Sequence, residues 1–328
     1  MFPVSILDLV PVNQGATVTN ALHNSLNLAQ HAEKWGYNRF WVAEHHNMPN
    51  IASSATAILI GYLASGTKNI RIGAGGIMLP NHAPIIVAEQ FGTLESLFPG
   101  RIDLGLGRAP GSDPLTMKAL RRDSTRADNF ADEVTELKSY FSSASAGNTI
   151  QAIPGSGLNV PLWILGSSLF GAHLAAIMGL PYVFAAHFAP EFMYQALDVY
   201  RQNFQPSDAL DNPYAMVCIN AVVADEDRQA EYLFTTIQQS VANLVRGQRE
   251  LMMPPINNID DYWSPIEKQR ATNMLRYSFV GSVETVTNDL KQFIAKTGVD
   301  EIMVSSNIYD QQDRLYSYQA VADIAKTI

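Results

Sequence analysis

Residues 161–184 read PLWILGSSLFGAHLAAIMGLPYVF, inside a run from Ser139 to Pro190 that carries no Asp, Glu, Lys or Arg. By hydropathy alone, Leu162 to Phe188 is long and apolar enough to suggest a membrane span. Gly166, Ser167, Ser168, His173, Gly179, Pro181 and His187 interrupt it. They divide it into a short strand-like run, Leu162–Leu165, a helix-like run, Ser168–Met178, and a second strand-like run, Tyr182–Phe184. A strand, a helix and a strand in succession belong to an α/β fold, not to a bilayer.

The same alternation extends in both directions. Further strand candidates are Val4–Val10, Phe40–Ala43, Ile70–Met78, Arg101–Leu106, Tyr214–Val223 and Glu301–Ser305. Helix-period stretches separate them. Thr19 to Trp35 puts Leu22, Leu26, Ala29 and Ala32 on one face, with Gly36 as a stop. Pro84–Leu97, Ser124–Phe141, Pro190–Phe204, Asp225–Val245 and Gln312–Ile328 read the same way. Eight strands separated by helix-period stretches predict a (β/α)8 TIM barrel, a single domain over residues 1–328. Several strands are apolar on both faces, as buried parallel strands are. A doubly wound open sheet is the alternative, but no G-x-G-x-x-G follows the first strand. Residues 246–278 break the alternation and read as an insertion before the last βα unit, with the character of a lid.

Composition narrows the function. The 328 residues hold 22 Lys and Arg against 31 Asp and Glu, a formal charge of −9 that disfavours nucleic acid and anionic membranes as partners. Charged residues make up 16% and hydrophobic residues 47%, against about 25% charged in an average domain, so the chain is globular and deeply buried. The one cysteine, Cys218, excludes an intrachain disulfide and sits in an apolar run as a buried thiol. The start, MFPVSILDLVPV, has no secretory character, and the expected compartment is the cytoplasm.

A TIM barrel carries its chemistry at the C-terminal ends of its strands. There the sequence places Asp8, Glu44-His45-His46, Gly75-Gly76, Gly107-Arg108, Gly166-Ser167-Ser168, His187 and Ser305-Ser306-Asn307. Glu44-His45-His46 admits a metal site, a structural hydrogen-bonding pair, or one ligand-facing histidine. Adjacent side chains at a strand end point in opposite directions, which disfavours the metal. Ser167 and Ser168 open a helix, either as a plain N-cap or as an anion site. Arg108 tips the balance toward an anion, and Arg126, near the start of the next helix, is a second candidate guanidinium. Gly73-Ala74-Gly75-Gly76 within a strand implies a bulge, a cis peptide or a flat ligand against the backbone.

These residues carry a family resemblance. AEHHN at 43–47, GAGGIMLP at 73–80, PGRIDLGLGR at 99–108, PLWILGSS at 161–168 and GLP at 179–181 resemble the bacterial-luciferase-like flavin monooxygenases along essentially the whole chain. GRAPG at 107–111 and GSSLFGAH at 166–173 are most similar to the single-chain luciferase-like oxidoreductases. The resemblance implies reduced FMN at the barrel mouth, reacting with dioxygen to oxygenate a small organic substrate such as an aldehyde or related carbonyl compound. It implies that His45 is catalytic, that a non-proline cis peptide lies at Gly75-Gly76, and that Leu165 lines the flavin. The phosphate would fall to Arg108, Arg126 and Ser168, with Ser167 where luciferase has glutamate. A luciferase threonine is replaced by Gly171 and its reactive cysteine by Gly107, so light emission is not expected. A separate flavin reductase is the implied electron source, and a homodimer the implied assembly. Two rivals stand beside this reading: a non-catalytic flavin-binding barrel or subunit, and an oxidoreductase using the deazaflavin F420.

Overall fold

Around residue 166 the chain forms a strand, a helix and a strand, and the parallel pairing of the two strands makes them neighbours. The computed structural model describes residues 1–109, 113–121, 128–143 and 150–328. Its strands are β1 (Val4–Asp8), β2 (Arg39–Val42), β3 (Arg71–Met78), β4 (Ile102–Gly107), β5 (Leu162–Gly166), β6 (Tyr182–Ala185), β7 (Ala215–Ala224), β8 (Ser278–Ser282) and β9 (Glu301–Ser305). Neighbours run β6-β5-β4-β3-β2-β1-β9-β7-β8, and β6 also pairs with β7. That last pairing closes eight parallel strands into a barrel. β8 lies outside it, paired with the outer half of β7 from Asn220 to Ala224.

The helices are α1 (Val18–Trp35), α2 (Thr56–Ser65), α3 (Pro84–Leu97), α4 (Pro114–Ala119), α5 (Phe130–Phe141), α6 (Leu169–Met178), α7 (Met193–Asn203), α8 (Asp227–Arg246), α9 (Pro265–Met274), α10 (Val283–Thr297) and α11 (Gln311–Ala325). Thr17 and Asn20 form a reciprocal cap at the start of α1, and Gly36 at φ 90° ends it. The strand expected at Val4–Val10 stops at Asp8, because Val10 turns left-handed at φ 54° and donates its N–H to Asp8 Oδ1. A β-branched residue in that region is strained. The helix expected from Ser124 starts at Phe130 among the described residues, and Ser124 itself lies outside them. Sequence reading also passes over α2, β8 and α10. α2 is apolar on nearly every side, so it shows no stripe.

Two apolar layers hold the barrel. One lies between strands and helices, and the other fills the barrel with Leu7, Trp41, Ala43, Trp163, Val183, Met216, Cys218 and Met303. Cys218 is an inner-core thiol whose pKa burial pushes well up. Beneath this layer the N-terminal strand ends form a charged plug. Arg39 pairs with Asp103 at 2.9 Å and Glu301 at 3.1 Å, and Arg71 with Asp103 at 2.6 Å. Ser5 and Tyr214 donate to Glu301, and Trp41 Nε1 donates to Asp103 at 3.1 Å. Gly73 has a use here: a Cβ on it would lie 2.7 Å from both Asp103 and the Trp41 indole nitrogen.

After α8, residues 247–263 run back over the other end. Met252 pairs with Asn13, taking the Gln14 N–H and donating to the Val12 carbonyl. Arg249 binds Asp113 at 2.7 Å and the Asn47 carbonyl at 3.0 Å.

Candidate active site

The three residues Glu44-His45-His46 leave β2 and separate at once. Glu44 is buried and takes hydrogen bonds from His46 Nε2 at 2.8 Å, His82 Nε2 at 2.9 Å, Asn81 Nδ2 at 3.0 Å and the Met78 N–H at 2.9 Å. Its own N–H donates to the Gly76 carbonyl at 3.1 Å. Glu44 thus clamps the end of β3. Burial pushes its carboxyl up, but the hydrogen bonds from His46 and His82 outweigh that and bring it down to about 2. The same bond raises the His46 pKa. So the hydrogen-bonding pair is Glu44 and His46, while His45 turns the other way.

His45 is held by its backbone, whose N–H donates to the Ser53 carbonyl at 3.0 Å. Its Nδ1 is buried without a hydrogen-bond partner among the described residues. Burial lowers its pKa, offset in part by the Glu44 charge, so the ring is neutral at pH 7. A neutral imidazole with a free nitrogen can give or take a proton.

The clamped end of β3 contains a cis peptide at Gly75-Gly76, and the pairing with β4 shifts register between Gly75 and Ile77. Side chains are excluded there by the protein itself. A Cβ at Gly76 would lie 2.2 Å from Leu165 Cδ1 and 2.7 Å from the Gly105 carbonyl. Leu165 of β5 therefore packs directly on Gly76.

Arg108 follows β4, exposed, with its guanidinium 4.3 Å from the centre of the Phe170 ring on α6. Among the described residues no carboxylate pairs with it. Ser168 stands at the N-cap of α6 in extended backbone, yet its side chain makes no capping bond. The first-turn N–H groups of α6 and a guanidinium are thus left for an anion. Gly171 is buried in that first turn, and a Cβ there would meet nothing nearer than 3.6 Å. Arg126 lies outside the described residues.

Some residues of the rim have other duties. Asp8 is spent on a buried ion pair with Arg314 at 2.7 Å, and Arg314 also donates to the Ser306 carbonyl at 3.0 Å. Ser306 donates its N–H to the Tyr318 hydroxyl. Arg314 and His82 give no distinct signal in the sequence. Arg314 looks like one more charge on an amphipathic helix, and His82 lies two residues beyond where the strand motif ends. Among the described residues no cluster of three His, Cys, Asp or Glu is arranged for a metal ion. Among them, too, no helix is long and apolar enough to cross a membrane.

A family model for luciferase-like monooxygenases matches residues 2–301. The chain belongs to the luciferase-like monooxygenase family. It is 50% identical over 325 residues to a luciferase-like monooxygenase of Escherichia coli (strain K12), covering 99% of this chain and 97% of that one. It is 29% identical over 331 residues to the N-acetyl-S-alkylcysteine monooxygenase of Bacillus subtilis (strain 168), covering 98% of each. The crystal structure of apo-MsnO8 superposes with a TM-score of 0.91 at 33% identity, covering 100% of this chain and 99% of that one. Family and monooxygenase neighbours together make this luciferase-like chain a flavin-dependent monooxygenase. Two more distant structures share the fold alone. One is the oxygenating constituent of 3,6-diketocamphane monooxygenase with FMN, at 17% identity, TM-score 0.76, covering 100% of this chain and 98% of that one. The other is an F420-dependent secondary alcohol dehydrogenase, at 15%, TM-score 0.72, covering 99% of each.

Proposed function

We propose that this flavin-dependent monooxygenase uses FMN, receives it reduced from a separate reductase, and oxygenates a small organic substrate such as an aldehyde or related carbonyl compound. The observation that carries the reading is the open start of α6 beside Arg108, a cradle for a phosphate monoester. Arg108, Ser167 and Ser168 hold the phosphate, joined by Arg126. Gly75, Gly76 and Leu165 meet the ring system. When bound, reduced flavin supplies the electrons that activate dioxygen. His45, neutral and with a free ring nitrogen, holds or moves a proton beside the reacting atoms. Residues 246–278 serve as the cover, tied across the mouth by Arg249 and Met252, and keep water away from the site.

The relative that acts on N-acetyl-S-alkylcysteine extends the substrate class to small thioethers. A homodimer working in the cytoplasm completes the reading. Exposed apolar side chains on α2 and α3, Ile58, Tyr62, Ile86 and Leu97, offer a face for the second copy.

The test is a fluorescence titration with FMN and with F420. FMN is expected to bind and its binding to weaken with Arg108→Ala. Binding of F420 alone favours the deazaflavin rival. The non-catalytic rival is tested with reduced FMN, dioxygen and candidate substrates: turnover that falls with His45→Ala favours the enzyme, and no turnover, or turnover that His45→Ala leaves unchanged, favours the rival.

A further inference from the structure

His187 follows β6 and stands on the same rim as His45, near enough for the two rings to influence each other electrostatically. None of the residues assigned above to phosphate, ring system or clamp requires it. The structure nevertheless fixes it from several sides. Asn220 of β7 donates its side-chain amide to the His187 carbonyl at 2.8 Å and to Ser278 Oγ at 3.2 Å, so the backbone is tethered to the barrel and to β8. The ring meets Phe188 edge-on, with centroids 4.8 Å apart. The Cys218 backbone carbonyl lies beside the ring and favours an N–H on the nitrogen that faces it.

Burial, with His45 beside it, pushes the His187 pKa down to about 3, so the ring is neutral throughout the physiological range. A neutral imidazole has one N–H and one lone pair. With the N–H turned toward the Cys218 carbonyl, the other ring nitrogen is left as an acceptor. Among the described residues, Nδ1 of His187 and Nδ1 of His45 are both buried without a hydrogen-bond partner. Buried polar atoms without partners are uncommon, and each calls for an explanation. Two on one rim of a ligand-binding barrel are explained together if a bound molecule completes the hydrogen bonding.

We infer that His187 is a ligand-contacting residue whose ring accepts a hydrogen bond from an N–H of the molecule held beside His45. Two molecules present such a group, the imide N–H of a flavin ring and the amide N–H of an N-acylated thioether substrate. The inference rests on the flavin reading for the first of these and separates from it in the test.

The experiment compares the full-length protein with His187→Phe and His187→Asn. FMN and 3-methyl-FMN, which lacks the imide N–H, are titrated by flavin fluorescence. N-acetyl-S-methylcysteine and its N-methylated amide are titrated by tryptophan fluorescence. If the flavin is the donor, His187→Phe weakens FMN by about tenfold and leaves 3-methyl-FMN unchanged. If the substrate is the donor, FMN affinity stays constant, while the thioether loses about tenfold and its N-methylated form loses nothing. In either case His187→Asn, which keeps a polar acceptor on the side chain, recovers part of the discrimination. The inference is overturned if His187→Phe matches the wild type toward all four probes. It is also overturned if each methylated probe loses as much as its parent, for then the ring is only a strut. Should the wild type bind no FMN, the flavin reading falls, and the thioether pair still decides the role of His187.

Discussion

At the N-terminal end of the barrel Arg39, Arg71, Asp103 and Glu301 satisfy one another, with Ser5, Trp41 and Tyr214 taking up further valences. At the C-terminal end, among the described residues, His45 and His187 each bury a ring nitrogen without a hydrogen-bond partner, and Arg108 faces an aromatic ring with no carboxylate beside it. Both ends draw on ionisable and aromatic side chains. Below, every charge has a partner, so the plug stabilises and specifies the closed barrel. Above, groups are held by backbone and clamp while their chemically active atoms remain uncommitted. That asymmetry marks the end at which a ligand binds.

The sharpest way to break the comparison is to disturb the plug. Asp103→Ala leaves Arg39 and Arg71 with one buried carboxylate between them. It is expected to cost about 3–5 kcal/mol of stability by chemical denaturation. FMN affinity of the molecules that remain folded should be unchanged, and a selective loss of FMN binding would erase the division of labour. His45→Ala should do the reverse. Turnover with reduced FMN is expected to fall by about 10²–10⁴-fold, while the denaturation midpoint barely moves.

Acid should act on the mouth through Glu44. Its folded carboxyl titrates near 2, below the ordinary 4.5. Its contribution is therefore fully present above pH 4.5 and is lost as pH falls toward 2, on the order of 3 kcal/mol. His46 has the opposite sign: its raised pKa contributes below its ordinary 6.5, and the contribution is lost as pH rises through the folded value. Stability profiles of wild type and Glu44→Gln should diverge most between these limits, and parallel profiles would show that the clamp carries no linked protons.

Arg108→Ala should weaken FMN binding by about 1–3 kcal/mol with stability altered by less than about 0.5 kcal/mol. The smallest effect is expected at Gly171. With nothing within 3.6 Å of an added Cβ, Gly171→Ala should stabilise the protein by about 0.5–1 kcal/mol. A loss of FMN affinity in that variant would mean that the bare helix start is kept for the ligand.

Much of this architecture is legible in the chain. The uncharged run at 139–190 resolves into β5, α6 and β6 because glycine, proline and paired serines punctuate it. All eight barrel strands are visible as short runs, several of them apolar on both faces, since a closed parallel sheet is covered inside and out. β8 escapes notice because it lies outside the barrel and is buried only at alternate residues, and α2 because a helix apolar all round has no stripe. At the site, the E-H-H and glycine motifs announce themselves, and adjacent positions at a strand end imply that the histidines diverge.

What the sequence by itself determines is the barrel, the rim on which its chemistry sits, and the residue types available there. Local periodicity and punctuation suffice for that, because each βα unit is a short-range pattern. Only the tertiary structure decides which rim residues are already committed. Asp8 is consumed by Arg314, Glu44 by His46 and His82, and Gly73 by Trp41 and Asp103, while His45, His187 and Arg108 are left open. Apart from His46, two residues beyond Glu44, those partners lie tens to hundreds of residues away. A hydrogen bond depends on distance in space, which closure of the barrel sets and the order of residues does not.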